Sequence, residues 1–105
     1  MKYITRFFIK WWVDTAKFPD TQQEVMKLKV KLHEGVKAGL NAGRFTEWGQ
    51  FGNGREGYAI SDMSAEDIYA AMSKFTPVAA YEVFPVLDVD QSMEAVKKAA
   101  AEMQA

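Results

Sequence analysis

The stretch Tyr81-Glu82-Val83-Phe84-Pro85-Val86-Leu87 decides the fold, because it has the composition of a β-strand and yet contains a proline. Proline has no N–H to donate to a ladder, so a strand with proline in its interior belongs at the edge of a sheet. We therefore expect an open sheet in which this last strand is an edge.

The N-terminal segment predicts a second long strand, because apolar and polar residues alternate from Tyr3 to Val13. One face carries Tyr3, Thr5, Phe7, Ile9, Trp11 and Val13, and the other carries Ile4, Arg6, Phe8, Lys10 and Trp12. The first face is the better core. The second face is too apolar for a bare surface, which predicts that a second subunit covers it.

Cap and turn signals divide the rest of the chain. Thr21-Gln22-Gln23-Glu24 is a capping box that opens a helix reaching about Asn41, with Gly43 as its stop. Ser64 opens a second helix that Pro77 closes, and Asp88-Val89-Asp90-Gln91 caps a terminal one. Strands are predicted over 44–51 and 56–61, joined by a hairpin at Asn53-Gly54, where both residues tolerate positive φ.

The resulting order, βαββαβ with an extra C-terminal helix, predicts one α+β domain over residues 1–105. Right-handed crossovers then give a ferredoxin-like, four-stranded antiparallel sheet of order 4-1-3-2. In this order the fourth strand is an edge beside the first, which agrees with the proline.

The composition of the chain limits which classes of protein it can belong to. The chain has 105 residues, 49% hydrophobic and 26% charged, with a net charge of −1 and no cysteine. The first residues enter a strand directly, and no apolar run approaches the roughly 20 residues of a membrane span, so we expect a cytoplasmic protein without a membrane partner. Residues 1–44 hold nine Lys/Arg against four Asp/Glu, but no aromatic residues interleave the lysines, so we expect no nucleic-acid partner.

Two features resemble cofactor sites without predicting one. Gly52-Asn53-Gly54-Arg55-Glu56-Gly57 matches the dinucleotide pattern G-x-G-x-x-G, but a strand follows where that motif needs a helix, so it predicts a hairpin. His33, the one histidine, lies beside the apolar stripe of the first helix, where we expect a half-exposed border residue. An axial haem ligand and a general base are the alternatives. We expect no metal and no cofactor.

The second face of the first strand carries the most suggestive chemistry. If Glu82 and Phe84 share that face on the neighbouring strand, then Arg6, Lys10 and Glu82 meet among aromatic side chains. Candidate ligand-binding residues are therefore Arg6, Lys10, Glu82, Phe8, Trp12 and Phe84, and Trp48 extends the set if its strand faces the same way. The same charges could equally form a structural ion pair at a dimer interface. No catalytic residue is singled out.

Several segments carry a resemblance: Glu34-Gly35-Val36-Lys37, Arg44-Phe45-Thr46-Glu47-Trp48, Gly54-Arg55-Glu56-Gly57-Tyr58, and Phe75 through Leu87. They resemble small uncharacterised families of the dimeric α+β barrel superfamily, nearest a bacterial and archaeal family, and are more distantly similar to muconolactone isomerases. The resemblance implies a ferredoxin-like protomer whose sheet packs face to face with a second sheet in a homodimer. It also implies a choice among cofactor-free isomerases, monooxygenases, haem-degrading enzymes and proteins without a known activity.

Three functions follow as hypotheses. The first is a small enzyme or binding protein for a compact aromatic or lactone-like acid, with Arg6 or Lys10 as anion anchor and Glu82 as its partner or proton acceptor. The second is a non-catalytic dimerisation or binding module. The third is a haem-degrading monooxygenase that uses His33.

Overall fold

The computed structural model of the protein describes residues 5–104. Tyr3 and Ile4, which begin the predicted alternation, lie outside that range. The elements are β1 (Arg6–Val13), a 3₁₀ helix (Thr15–Lys17), α1 (Gln22–Asn41), β2 (Glu47–Gln50), β3 (Glu56–Ser61), α2 (Ala65–Met72), β4 (Ala79–Val86) and α3 (Val89–Gln104).

The four strands form one antiparallel sheet of order β2-β3-β1-β4, which is the predicted order. Pro85 lies in β4, at the edge, opposite Phe7 of β1. The α+β, ferredoxin-like prediction is therefore confirmed. The helix caps also agree, because Thr21 accepts a hydrogen bond from the Glu24 N–H and Ser64 accepts one from the Asp67 N–H.

The helices α1 and α2 cover one face of the sheet, and the core lies between them and β1. Ile9 and Trp11 of β1, Ala59 of β3 and Ile68 of α2 are buried in it. Ser61 is also fully buried, but its hydroxyl is satisfied because it donates to the Arg44 carbonyl and accepts from the Met63 N–H.

Glycines set how closely the elements approach. A Cβ on Gly39 of α1 would lie 2.9 Å from Phe45, and one on Gly35 would lie 3.2 Å from Phe75. The close approach that glycine allows at these two positions compensates its lower helix propensity. The glycine that makes room for Trp11 is Gly57, across the β1–β3 ladder.

The hairpin between β2 and β3 forms as predicted, but its turn differs. Gly54 has φ of 74°, whereas Asn53 keeps a negative φ. The Gly54 N–H donates to the Phe51 carbonyl, and the Asn53 side chain accepts from the Arg55 N–H. Asparagine acts here through its side chain, so only one residue needs the left-handed conformation.

The C-terminal helix α3 extends away from the rest of the molecule. None of its residues is buried. The described chain measures 65 × 26 × 23 Å, and its radius of gyration is 17.7 Å, against about 13 Å for a compact chain of this length.

Candidate functional site

No helix of the described part of the chain covers the sheet face opposite α1 and α2, and we call this face the open face. Phe8 of β1 stands opposite Phe84 of β4, and Lys10 stands opposite Glu82, as the predicted site requires. Phe84 is 45% exposed. The β1–β4 register thus brings together six of the seven candidate residues: Arg6, Phe8, Lys10, Trp12, Glu82 and Phe84.

Arg6 and Trp48 depart from the expected arrangement. The Arg6 Nε donates to the Asp62 carboxylate at 3.2 Å, so this guanidinium pairs at the end of β3 and not with Glu82. Trp48 pairs with Ala59 and therefore lies on the helix-covered face. The condition under which Trp48 would extend the predicted site is therefore not met, because the alternation of β2 turns Glu47 and Gly49, and not Trp48, towards the open face.

A tyrosine and a carboxylate add a polar pair to the open face. The Tyr58 ring stacks on Phe8 at 6.0 Å between centroids, and its hydroxyl donates a hydrogen bond to the Glu47 carboxylate. That hydrogen bond, partial burial and the negative charge of Glu47 raise the pKa of Tyr58 above its usual value of 10.0. The Tyr58 phenol therefore keeps its proton to a higher pH than a free tyrosine does.

A cavity of about 160 Å³ opens between α1 and the sheet, and we call it the helix-side cavity. Its aromatic wall is formed by Trp11 and Trp48, which stack at 5.3 Å between centroids with an interplanar angle of 8°. Most of the other side chains in its lining are apolar: Val13, Phe18, Leu32, Val36, Phe45, Ala59, Met72, Phe75 and Ala79. Lys29, His33 and Gln50 supply polar groups.

Trp11 and Lys29 are each oriented by a neighbour. The Trp11 indole N–H donates to the Tyr58 carbonyl at 3.3 Å, which satisfies that donor without using the cavity. The Lys29 ammonium lies 5.9 Å from the Phe18 ring centroid, a cation–π distance. The cavity therefore has an aromatic wall and a cation beside it.

His33 is an exposed border residue, as the sequence predicted, but it also lines this cavity. Its ring meets Trp48 edge-on at 5.6 Å between centroids. The His33 Nδ1 lies 2.7 Å from the Lys29 carbonyl oxygen. Because a carbonyl oxygen only accepts, Nδ1 carries the hydrogen, and the neutral ring keeps its lone pair on Nε2.

Sequence reasoning did not find this cavity, although one signal for it was present. Gly57, Ala59 and Ser61 are the small residues of β3 on the helix-covered face, and Ala59 and Gly57 stand opposite Trp48 and Trp11, respectively. Small residues in alternate positions of a strand leave room for large neighbours on that face. From this pattern, the Trp48 side chain could have been predicted to face the helices.

A known protein family matches most of the chain. A family model described as a domain of unknown function, DUF3303, matches residues 5–100. The chain belongs to this DUF3303 family. No curated protein matches the chain.

The DUF3303 chain shows neither a metal cluster nor a membrane-crossing helix in the part that the structure describes. Among residues 5–104, no three His, Asp or Glu side chains gather in a way that could hold a metal ion. No helix in the same range is long and apolar enough to cross a lipid bilayer.

Proposed function

We propose that this DUF3303 protein binds a compact aromatic or lactone-like acid in the helix-side cavity, as a member of the dimeric α+β barrel superfamily distantly related to muconolactone isomerases. The observation that carries the proposal is the pair of stacked indoles, Trp11 and Trp48, facing a cavity whose polar groups are few. Ligand sites in proteins commonly combine apolar walls with a small number of polar groups that orient the ligand.

The size of the cavity supports a ligand with one ring. Its volume is about 160 Å³, and a cavity of about 150 Å³ is known to hold one benzene molecule. A haem macrocycle contains four pyrrole rings, so it would enter only if α1 moved away from the sheet. The cavity thus disfavours haem degradation by way of His33.

The charges near the cavity support an anionic ligand. Lys29 and His33 belong to its lining, and the Lys29 ammonium lies over Phe18, another lining residue. A carboxylate in contact with Lys29 would form a charge-assisted hydrogen bond, which is stronger than a bond between neutral groups. The lone pair on Nε2 of His33 could accept a further hydrogen bond from a ligand hydroxyl.

Binding is tested by calorimetric titration of a panel of aromatic and lactone acids into wild-type protein, Lys29→Met and Lys31→Met. Lys31 belongs to the same helix but is exposed and does not line the cavity. We expect Lys29→Met to weaken binding by about tenfold or more, since a hydrogen bond to a charged group contributes about 1.5–3 kcal/mol. Lys31→Met should bind as wild type does. Equal affinities in both variants would contradict the proposed anchor.

If the ligand is a substrate, we expect His33 to remove the first proton from it. Cofactor-free isomerisation and monooxygenation both require a base that removes a proton from the substrate, and neutral imidazole serves as one near pH 7. His33→Gln keeps a polar side chain but no titratable base. We expect it to retain binding and lose proton exchange from the bound acid, measured by deuterium incorporation in heavy water. Undiminished exchange would exclude His33 as the base.

We further propose that the open face packs against the same face of a second copy. Phe8, Trp12 and Phe84 support this, because a monomer rarely leaves a large contiguous apolar patch exposed. The competing function, a non-catalytic dimerisation module, is favoured by Lys10 opposite Glu82, which suits a structural ion pair between strands. If none of the acids in the panel binds and the protein forms a stable dimer, the result favours the non-catalytic dimerisation module.

A further inference from the structure

The helix α3 carries an apolar stripe on which no side chain of residues 5–88 packs closely enough to bury it. Val89 is 73% exposed, Val96 is 65% exposed and Met103 is 87% exposed. The stripe consists of Val89, Met93, Val96, Ala100 and Met103, at spacings of four, three, four and three residues. This 3.5-residue repeat is the pattern of a helix that packs along its length against another protein surface.

The helix α3 gains little stability from packing on residues 5–88. Isolated helices shorter than about 12–15 residues are marginal in water, and most helical stability in proteins comes from packing of an apolar face. α3 has 16 residues and buries none of them. α3 is thus only slightly longer than that limit, and residues 5–88 provide no packing that buries its apolar stripe.

The connection from β4 to α3 is short, and the helix start is capped. Two residues, Leu87 and Asp88, join the elements. The Asp88 N–H donates to the Gln91 side chain at 2.9 Å, and the Asp88 carboxylate accepts from the Gln91 N–H at 2.8 Å. This reciprocal capping box satisfies backbone donors at the start of α3, and the helix extends away from its own sheet.

We propose that α3 is an arm that docks its stripe on a second copy of this chain, in the same dimer that joins the open faces. The apolar surface is continuous along β4 and α3, through Phe84, Val86, Leu87 and Val89, all of them exposed. One interface therefore extends from the sheet into the arm.

Area considerations favour a second copy as the occupant. Four strands about 4.8 Å apart and on average about 21 Å long give the open face a flat footprint of roughly 400 Å², and its side chains raise the accessible area above that figure. A stable interface buries about 800 Å² per partner. The arm supplies apolar surface for the remaining area, and two-fold symmetry means that each copy gives one arm and receives one.

Because the chain contains no cysteine, a single introduced cysteine can be spin-labelled selectively, which permits a direct test. A nitroxide is attached at Ala99→Cys, beside the stripe, and at Lys98→Cys, on the opposite side of the helix. We expect the label at 99 to be immobilised in the dimer and to become mobile on dilution to monomer, while the label at 98 stays mobile throughout. A mobile label at 99 in an intact dimer overturns the arm but leaves the open-face dimer standing. An immobile label at 99 in the monomer also overturns it, because α3 would then contact its own chain.

A second measurement uses Val96→Glu, with Ala95→Glu as a matched control outside the stripe. Sedimentation equilibrium should show self-association weakened by at least about tenfold in Val96→Glu, since a charge enters an apolar contact twice per dimer. Ala95→Glu should associate as wild type does. Both variants should retain acid binding in the cavity, so a failure of the arm is distinguishable from a failure of the proposed ligand site. Equal association of Val96→Glu and wild type overturns the arm.

Discussion

Tyr58 is the residue whose ionisation most directly reports the geometry of the open face. Its hydroxyl donates to the Glu47 carboxylate, which raises the pKa of Tyr58 above 10.0. Because the pKa is higher in the folded state, the stabilisation from this pair is fully present below about pH 10, the ordinary tyrosine value, and is lost as pH rises through the folded value.

The pair predicts a late step in the alkaline titration of tyrosine absorbance. Tyr58→Phe should abolish that step, and Glu47→Gln should move it to lower pH because the carboxylate charge is removed. Tyr69→Phe, on the exposed surface of α2, should leave it in place. A late step that survives Tyr58→Phe would contradict the assigned hydrogen bond.

Gly39 is expected to be the more sensitive of the two glycines in α1. Alanine gains up to about 1 kcal/mol of helix propensity over glycine, but its Cβ would lie 2.9 Å from Phe45, a buried ring that has little room to move. Overpacking of this kind costs about 1–3 kcal/mol. We predict that Gly39→Ala lowers the free energy of unfolding by about 1 kcal/mol.

Gly35→Ala is the matched control for that change. Its Cβ would lie 3.2 Å from Phe75, which is only partly buried, so the propensity gain and the strain should cancel to within about 0.5 kcal/mol. Urea unfolding of both variants measures the difference. A larger loss at Gly35 than at Gly39 would contradict the packing described for α1.

At the scale of elements, the two capped helices should respond differently to loss of their caps. Thr21 caps α1, which packs on the sheet, whereas Asp88 caps α3, which buries no residue. Removing a cap costs about 1 kcal/mol of helix stability. Under conditions where the protein is monomeric, Thr21→Ala should lower the melting temperature, while Asp88→Ala should lower helicity at 222 nm and leave the melting temperature unchanged. An equal fall in melting temperature for both would show that α3 belongs to the cooperative core.

The elements also show which structural information the sequence contains. The helix caps and the proline of β4 are local sequence signals, so the helix starts and the edge strand could be predicted from them. β2 has only four residues, with Glu47 and Gly49 on one face and Trp48 and Gln50 on the other, so its alternation did not settle the direction of Trp48. The helix-side cavity depends on the distance between α1 and the sheet, and the apolar periodicity of α1 carries no information about that distance.

At the scale of the whole molecule, the open face predicts self-association. Phe8→Glu would place a charge at the centre of that face, and burying an unpaired charge is strongly unfavourable. We expect light scattering to give a dimer for wild type and a monomer for Phe8→Glu. Tyr69→Glu, the same kind of change on the exposed surface of α2, should remain dimeric. A wild-type monomer would refute the face-to-face dimer.

The three indole N–H groups test the central claim most directly, because Trp11 and Trp48 line the helix-side cavity while Trp12 lies on the open face. The measurement is a titration of the aromatic and lactone acids followed by the ¹H–¹⁵N signals of the three indoles, assigned by single Trp→Phe variants. The account predicts that an acid that binds shifts the Trp11 and Trp48 signals and leaves the Trp12 signal in place. A shift confined to Trp12, or no shift with any acid, would contradict it.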